Sequence, residues 1–238
     1  MATLTQIPSD IRLIIFDLDG TLIDSQEDLA LSVNLMRKEM GRAPLDHDLI
    51  ASYVGQGVSV LVRRALGNGA PETVPDREVE RGVEIFLRTY GLHMLDHTVL
   101  YSGVWEALQA LSGRHLAVLT NKPVNFSRAI LVGLGIASCF AFVYGGNSFE
   151  QKKPDPVGVF RLMSDTGVAA PQTLVVGDSD TDVLTGRNAG VWTCGVAYGL
   201  GSHTLAATPP DVLLSDLRQL PPLLTAAPAS AQVSAPQG

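Results

Sequence analysis

Apolar and polar positions along the first hundred residues predict one strand followed by helices. Residues 11–16 form a short apolar run with β-branched side chains, which is typical of a strand covered on both faces. From Leu29 onward, apolar side chains recur at helical spacing, and Ser25 is the predicted N-cap of this helix. Helical spacing continues through residues 58–66 and 77–90. We therefore expect a helical insert at residues 25–97, placed directly behind the first strand.

After residue 101 the pattern changes to strands that alternate with helices. Apolar strand-like runs are separated by amphipathic segments, and this alternation predicts an α/β fold with a parallel sheet. We expect a Rossmann-like core formed by residues 1–24 and 98–226. The Ala/Pro/Ser-rich tail at residues 227–238 is predicted to be disordered. Ligands of such sheets bind at the carboxyl ends of the strands.

The charge of the chain limits its partners. The 238 residues carry a formal net charge of -7, which argues against nucleic acid and anionic membranes. The N-terminus has no signal-peptide pattern, and the uncharged span at residues 129–149 contains glycines that favour a turn over a membrane span. We expect a soluble, cytoplasmic protein that is a monomer or homodimer. Cys139 and Cys194 are predicted to be reduced thiols.

Polar clusters follow three predicted strands, and a fourth opens a helix. The four clusters are DLDGT at 17–21, TNKP at 120–123, KKPDP at 152–156 and GDSDTD at 177–182. If they share one edge of the sheet, the carboxylates of Asp17, Asp19, Asp178 and Asp182 meet there beside a lysine. Buried carboxylates so close repel each other and lose solvation, and a hard divalent cation relieves both effects. The pattern therefore predicts a metal site, most naturally for Mg²⁺.

These clusters carry a family resemblance. FDLDGTLIDS, TNKP, KKPDP and GDSDTD resemble, in this order, the four motifs of the haloacid dehalogenase (HAD) superfamily of phosphotransferases. The helical insert is similar to that family's small cap. The segments YVGQG, RRAL, GGNSF and PPDVLLSDL resemble its phosphoglycolate phosphatase branch. The resemblance covers about residues 12–224. It implies an enzyme that hydrolyses a small phosphorylated metabolite, specifically 2-phosphoglycolate to glycolate and phosphate.

The resemblance also implies a role for the acidic residues of the motifs. Asp17 would be the nucleophile that forms an aspartyl-phosphate, and Asp19 would be the general acid and base. The carboxylates of Asp17 and Asp178, with the backbone carbonyl of Asp19, would hold Mg²⁺. Asp182 would contact the metal through water. The role of Asp180 is left open.

The same resemblance places phosphate-binding groups on two other motifs. Thr120 and Asn121 would hydrogen-bond the phosphate, and Lys153 would balance its charge. Lys152 is the neighbouring alternative to Lys153. Asp24 is expected at the hinge into the cap.

Within the cap, a short loop and a helix supply the candidate substrate contacts. Gly55, Gln56 and Gly57 are predicted to form a loop over the site. Arg64 is predicted to reach a substrate carboxylate, with a solvated helix face for the Arg63–Arg64 pair as the alternative. His93 and His97 have helical i, i+4 spacing, for which we favour surface or hinge roles over a metal site.

Related activities differ from this prediction in identifiable residues. A dehalogenase would not need Asp19, and a phosphonate hydrolase of this family resembles a variant with alanine there and a lysine in the cap. A β-phosphoglucomutase-like mutase, a pyrophosphatase or a nucleotidase is an alternative, as is a phosphoester-binding module without turnover. One departure from the branch is Asn147, which follows Gly145-Gly146 where Gly-Gly-Asp is common. It removes one negative charge, with an effect that the sequence leaves open.

Overall fold

The computed structural model describes residues 7–225, and the tail predicted to be disordered lies outside the described residues. Eight strands lie in this part of the chain. They are β1 (Leu13–Phe16), β2 (Ile23–Asp24), β3 (Val99–Leu100), β4 (His115–Leu119), β5 (Phe142–Tyr144), β6 (Thr173–Gly177), β7 (Trp192–Val196) and β8 (Val212–Leu214). Six of them form one parallel sheet in the order β5-β4-β1-β6-β7-β8. This sheet confirms the predicted α/β class.

Nine α-helices lie between or after these strands within residues 7–225. They are α1 (Gln26–Glu39), α2 (His47–Ala51), α3 (Val58–Gly67), α4 (Asp76–His93), α5 (Val104–Ala110), α6 (Val124–Gly133), α7 (Val157–Thr166), α8 (Asp180–Ala189) and α9 (Leu220–Leu223). Helices α1 to α4 follow β2 directly, and α4 packs against both α1 and α3. None of the helices within residues 7–225 is both long and apolar enough to cross a membrane.

Strand β1 is buried on both faces, as its continuous apolar sequence predicts. Successive side chains of a strand point to opposite faces. Accordingly, Ile14 and Phe16 belong to the larger hydrophobic core, while Leu13 and Ile15 belong to a second core on the other face. The strand is thereby fixed between two layers, and its carboxyl end is held in a defined position.

A short two-stranded ribbon and one buried carboxylate join the helical segment to the sheet. Strands β2 and β3 pair antiparallel, with Asp24 opposite Val99. The carboxylate of Asp28, in the first turn of α1, is buried and accepts hydrogen bonds from the backbone N–H groups of His97 and Thr98 and from the Thr98 hydroxyl. These contacts lie beside both predicted cap boundaries. The division into core and cap itself stays a prediction.

Asp28 is expected to contribute strongly to stability. Asp28→Ala would leave three donors without this acceptor, two of them on the buried Thr98, at a cost of roughly 3 kcal/mol in the free energy of unfolding. The matched control is Glu27→Ala in the same helical turn. Its carboxylate is largely exposed and faces His97 at 3.4 Å, so we expect a change of less than about 0.5 kcal/mol. Urea denaturation measures both, and equal losses would contradict the assignment.

Candidate active site

The three central strands of the sheet end at the same level. Phe16 of β1 lies opposite Val118 of β4 and Val176 of β6 in parallel register. The residues that follow these strands are therefore neighbours, although they are far apart in the sequence. Asp17, Thr120 and Asp178 are all buried at this edge.

Lys153 lies between two of the predicted acidic residues. Its Nζ is 2.9 Å from Asp17 Oδ1 and 2.6 Å from Asp182 Oδ1, and all three side chains are buried. Burial alone would lower the pKa of Lys153, but the two carboxylates raise it above its usual value, so the ammonium stays charged. The neighbouring Lys152 is exposed, and its Nζ points toward Gly57 instead. The structure therefore places Lys153, not Lys152, beside Asp17.

Asp178 is held by hydrogen bonds from two loops. Its Oδ1 accepts from the Thr21 hydroxyl at 3.3 Å, and its Oδ2 accepts from the backbone N–H of Gly201 at 2.7 Å. Gly20 permits this close approach, because it adopts a φ of +84° and a Cβ there would lie 2.2 Å from Asp178 Oδ2. The glycine of the DLDGT motif is thus required by both backbone conformation and space.

The acidic cluster suits a divalent cation. Carboxylate oxygens of Asp17, Asp178 and Asp182 all lie within 4.8 Å of one another in a buried site. Burial raises the pKa of Asp17, although Lys153 opposes the shift. Burial, reinforced by the charges of Asp182 and Asp17, raises the pKa of Asp178 as well. The single ammonium of Lys153 leaves negative charge uncompensated, and oxygen ligands of this kind fit Mg²⁺.

The two oxygens of Asp182 are already engaged. Oδ1 contacts Lys153, and Oδ2 accepts hydrogen bonds from the backbone N–H of Ser179 at 3.1 Å and from its hydroxyl at 2.7 Å. Asp182 therefore positions Lys153 and caps helix α8. Asp180 is the first residue of α8, and its backbone N–H donates to the Thr204 hydroxyl. Its carboxylate is not part of the cluster of Asp17, Asp178 and Asp182.

Asn121 connects the core lysine to the loop above the site. Its Nδ2 donates to the backbone carbonyls of Gly55 at 2.9 Å and Lys153 at 3.1 Å, while its Oδ1 accepts from the Lys153 backbone N–H at 3.0 Å. The side-chain amide of Asn121, which we predicted to bind phosphate, thus donates to two backbone carbonyls instead. The hydroxyl of Thr120 accepts from the backbone N–H of Lys122 at 3.3 Å and can still donate to a ligand.

Asp19 has two partners that sequence reasoning missed. The Ser25 hydroxyl donates to Asp19 Oδ1 at 2.6 Å, and Lys122 Nζ donates to both oxygens at 2.8 and 3.1 Å. Ser25 does occupy the N-cap position of α1, but its side chain makes no capping hydrogen bond because it binds Asp19. The position of Lys122 inside the TNKP motif was the available signal for the second contact.

A cavity opens above Asp17 and Asp19 toward helices α3 and α4. Gly55 and Gly57 line it, as predicted for the cap loop. Gln56 and Arg64 are outside its lining, because the Arg64 guanidinium donates to Gln56 Oε1 at 3.0 Å on an exposed surface. The neighbouring Arg63 contacts Val74 and Asp76, which agrees with the solvated-face alternative.

The paired histidines have separate acidic partners. His93 Nδ1 lies 2.7 Å from Asp96 Oδ2, and His97 Nδ1 lies 3.4 Å from Glu27 Oε2. These exposed contacts favour the surface and hinge roles over a shared metal site.

The side chain of Asn147 binds the N-terminus of helix α6. Its Oδ1 accepts the backbone N–H of Val124, the first residue of α6, at 2.9 Å. An asparagine keeps the capping acceptor that an aspartate would supply and removes only the charge.

Comparison with known proteins gives the family. The sequence pattern of the family described as haloacid dehalogenase-like hydrolase matches residues 14–196. The chain is 43% identical over 216 residues to a protein named phosphoglycolate phosphatase from Pseudomonas fluorescens strain Pf0-1, covering 89% of this chain and 79% of that one. It is 39% identical over 195 residues to a protein of the same name from Colwellia psychrerythraea, covering 79% and 85%.

A solved structure shares the architecture. The crystal structure of a predicted phosphoglycolate phosphatase from Haemophilus somnus 129pt superposes with a TM-score of 0.83 at 33% identity, covering 89% of this chain and 96% of that one. Together with the motifs at the strand ends, these matches identify the chain as a member of the haloacid dehalogenase-like hydrolase family.

Proposed function

We propose that this protein is a Mg²⁺-dependent phosphoglycolate phosphatase that releases phosphate from 2-phosphoglycolate. The observation that carries the proposal is the buried Asp17, whose Oδ1 lies 2.9 Å from Lys153 Nζ at the floor of a cavity that Asp19 also lines. The relatives named phosphoglycolate phosphatase support the choice of substrate. The overall charge of -7 supports a small-molecule partner over nucleic acid or an anionic membrane.

Asp17 and Asp19 would divide the chemistry between them. An oxygen of Asp17 attacks phosphorus, and the bond from phosphorus to the alcohol oxygen breaks while Asp19 gives that oxygen a proton. Asp19 then takes a proton from water as the water attacks the aspartyl-phosphate. The phosphorus bond to Asp17 breaks, which releases inorganic phosphate and restores both carboxyl groups.

Asp17 and Asp178 would hold the metal with the backbone carbonyl of Asp19, since Asp182 is committed to Lys153 and Ser179. Bound Mg²⁺ supplies neutralisation of the phosphoryl oxygens. The ammonium of Lys153 would stabilise the same oxygens from the side of Asp17. The Thr120 hydroxyl and the backbone N–H of Asn121 would donate hydrogen bonds to them.

The lining of the cavity favours a small leaving group. Its polar side chains are those of Asp17, Asp19, Tyr90, Thr120, Asn121 and Lys122, and its other lining residues are apolar or glycine. Such a lining offers few partners for the hydroxyls and base of a nucleoside, which supports 2-phosphoglycolate over the nucleotidase alternative. We further propose a cytoplasmic enzyme, either a monomer or a homodimer.

Phosphate release from a panel of phosphoesters tests this function. We expect Mg²⁺-dependent turnover with 2-phosphoglycolate preferred over β-glucose 1-phosphate, pyrophosphate and nucleoside monophosphates. Asp17→Asn should lower kcat on the order of 1,000-fold or more, because an amide cannot act as the nucleophile. The control is Asp10→Asn on the exposed surface, which should leave kcat unchanged.

Two outcomes of this assay would contradict the proposal. A preference for pyrophosphate would indicate a pyrophosphatase, and a preference for a nucleotide would indicate a nucleotidase. Isomerisation of the sugar phosphate would indicate a β-phosphoglucomutase-like mutase. Absence of turnover on every member of the panel would favour a phosphoester-binding module.

The two adjacent lysines provide a matched pair. Lys153→Met should lower kcat by about 100- to 1,000-fold, since it removes a preorganised charge next to the reacting carboxylate. Lys152→Met should change kcat by less than about threefold, because Lys152 is exposed. Circular dichroism of each variant establishes the folded fraction used to normalise kcat. If Lys152→Met lowered kcat more than Lys153→Met, the lysine that stabilises the phosphoryl group would be Lys152 instead.

A further inference from the structure

Two polar side chains on the cavity wall have no part in the phosphoryl chemistry described above. The wall above Asp17 and Asp19 is largely apolar. Its apolar side chains include Leu29, Val54, Val58, Leu61, Phe86 and Phe126. Lys122 and Tyr90 are set among them, next to each other. A charged and a hydroxyl group in such a wall mark the place where a ligand's polar end would be recognised.

Lys122 has a buried ammonium with spare donor capacity. Its side chain is 5% exposed, and Asp19 accepts from two of its three N–H groups. Burial alone would lower the pKa of Lys122, but the charge of Asp19 raises it above its usual value, so the side chain stays cationic. The Nζ also lies over the face of the Tyr90 ring, 4.5 Å from its centroid.

Tyr90 offers a hydroxyl whose proton has no acceptor. The residue is 1% exposed, its Oη makes no hydrogen bond of regular geometry within residues 7–225, and the Lys122 ammonium beside it can only donate to it. The ring is fixed by stacking on Phe86 at 5.5 Å and by an edge contact with Phe126 at 5.6 Å between centroids. Burial raises the pKa of Tyr90 to about 12, so the hydroxyl remains a donor. A buried, unsatisfied donor costs stability unless a ligand satisfies it.

We propose that Lys122 and the Tyr90 hydroxyl form a subsite for the carboxylate of the leaving alcohol, which makes them specificity-determining residues. This inference rests on the proposed function, since it assumes that the leaving group carries a carboxylate. In glycolate the carboxylate is bonded to the carbon that carries the leaving oxygen. A cation in contact with Asp19, the group that protonates this oxygen, is therefore within reach of the carboxylate.

Three arginines of the helical segment are committed elsewhere. Arg64 donates to Gln56, Arg63 to Val74 and Asp76, and Arg88 to Glu39. Among the described side chains that line this cavity, Lys122 alone carries a positive charge. An anionic group far from the leaving oxygen would meet apolar side chains instead. The arrangement thus selects a short leaving group with an adjacent carboxylate.

The test compares 2-phosphoglycolate with ethyl phosphate, which has the same chain length but no carboxylate. The readout is the ratio of the two kcat/KM values in wild type, Tyr90→Phe, Lys122→Met and Arg64→Met. We expect the ratio to fall about tenfold in Tyr90→Phe and about 100-fold in Lys122→Met, with a raised KM for 2-phosphoglycolate. Arg64→Met, the control cation outside the cavity, should keep the wild-type ratio.

Each alternative has a distinct result. If Lys122 only holds Asp19 in place, Lys122→Met slows both substrates equally and the ratio stays at the wild-type value, which overturns its assignment. Tyr90→Phe keeps the aromatic ring and its packing and loses only the hydroxyl. An unchanged ratio in this variant would show that the hydroxyl does not bind the carboxylate. A ratio that falls in Arg64→Met as it does in Lys122→Met also overturns the proposal. If wild type shows no preference for 2-phosphoglycolate, the proposed function fails together with the subsite.

Discussion

Uncompensated negative charge, buried at the carboxyl end of the sheet, is the constraint on which the site depends. Three carboxylates lie within 4.8 Å of one another, and one ammonium, that of Lys153, lies among them. Burial and mutual repulsion raise the pKa of Asp17 and of Asp178, because the ionised forms are unfavourable there without a further cation. A bound divalent metal would remove that cost, and under the proposed function it would do so where the anionic phosphate group binds.

The rest of the architecture holds this charge in place. Parallel register brings the ends of β1, β4 and β6 to one level, and the buried faces of β1 keep its end from moving. The side-chain amide of Asn121 then joins two layers, since it binds the backbone of Lys153 below and of Gly55 above. One side chain thus links the loop at Gly55 to the backbone of the lysine that faces the nucleophile.

Much of this organisation could be predicted from the sequence because it depends on short-range patterns. A continuous apolar run predicts a buried central strand. A polar cluster after each of several parallel strands predicts that these clusters meet at one edge of the sheet. The contacts of Lys122 and Ser25 with Asp19 were not predicted. The TNKP motif places Lys122 near the site, but the contact itself depends on the direction in which side chains leave the strand-end turns. Tyr90 has the spacing of an ordinary core residue, and helical periodicity does not distinguish a core from a cavity wall. Strands β2 and β3 have two residues each, too few to show an alternation.

Thermal denaturation with and without Mg²⁺, at alkaline pH where the carboxyl groups are ionised, tests the role of this buried charge most directly. Mg²⁺ should raise the Tm of the wild-type protein, because it binds the folded state. Asp178→Asn should melt at a higher temperature than wild type in the absence of Mg²⁺, since the amide removes one repelling charge while its oxygen can accept from Gly201 and its NH₂ can donate to Thr21. The same variant should gain little from Mg²⁺. The account would be contradicted if Mg²⁺ left the wild-type Tm unchanged. It would also be contradicted if Asp178→Asn melted below wild type without Mg²⁺ and showed the same increase in Tm when Mg²⁺ was added.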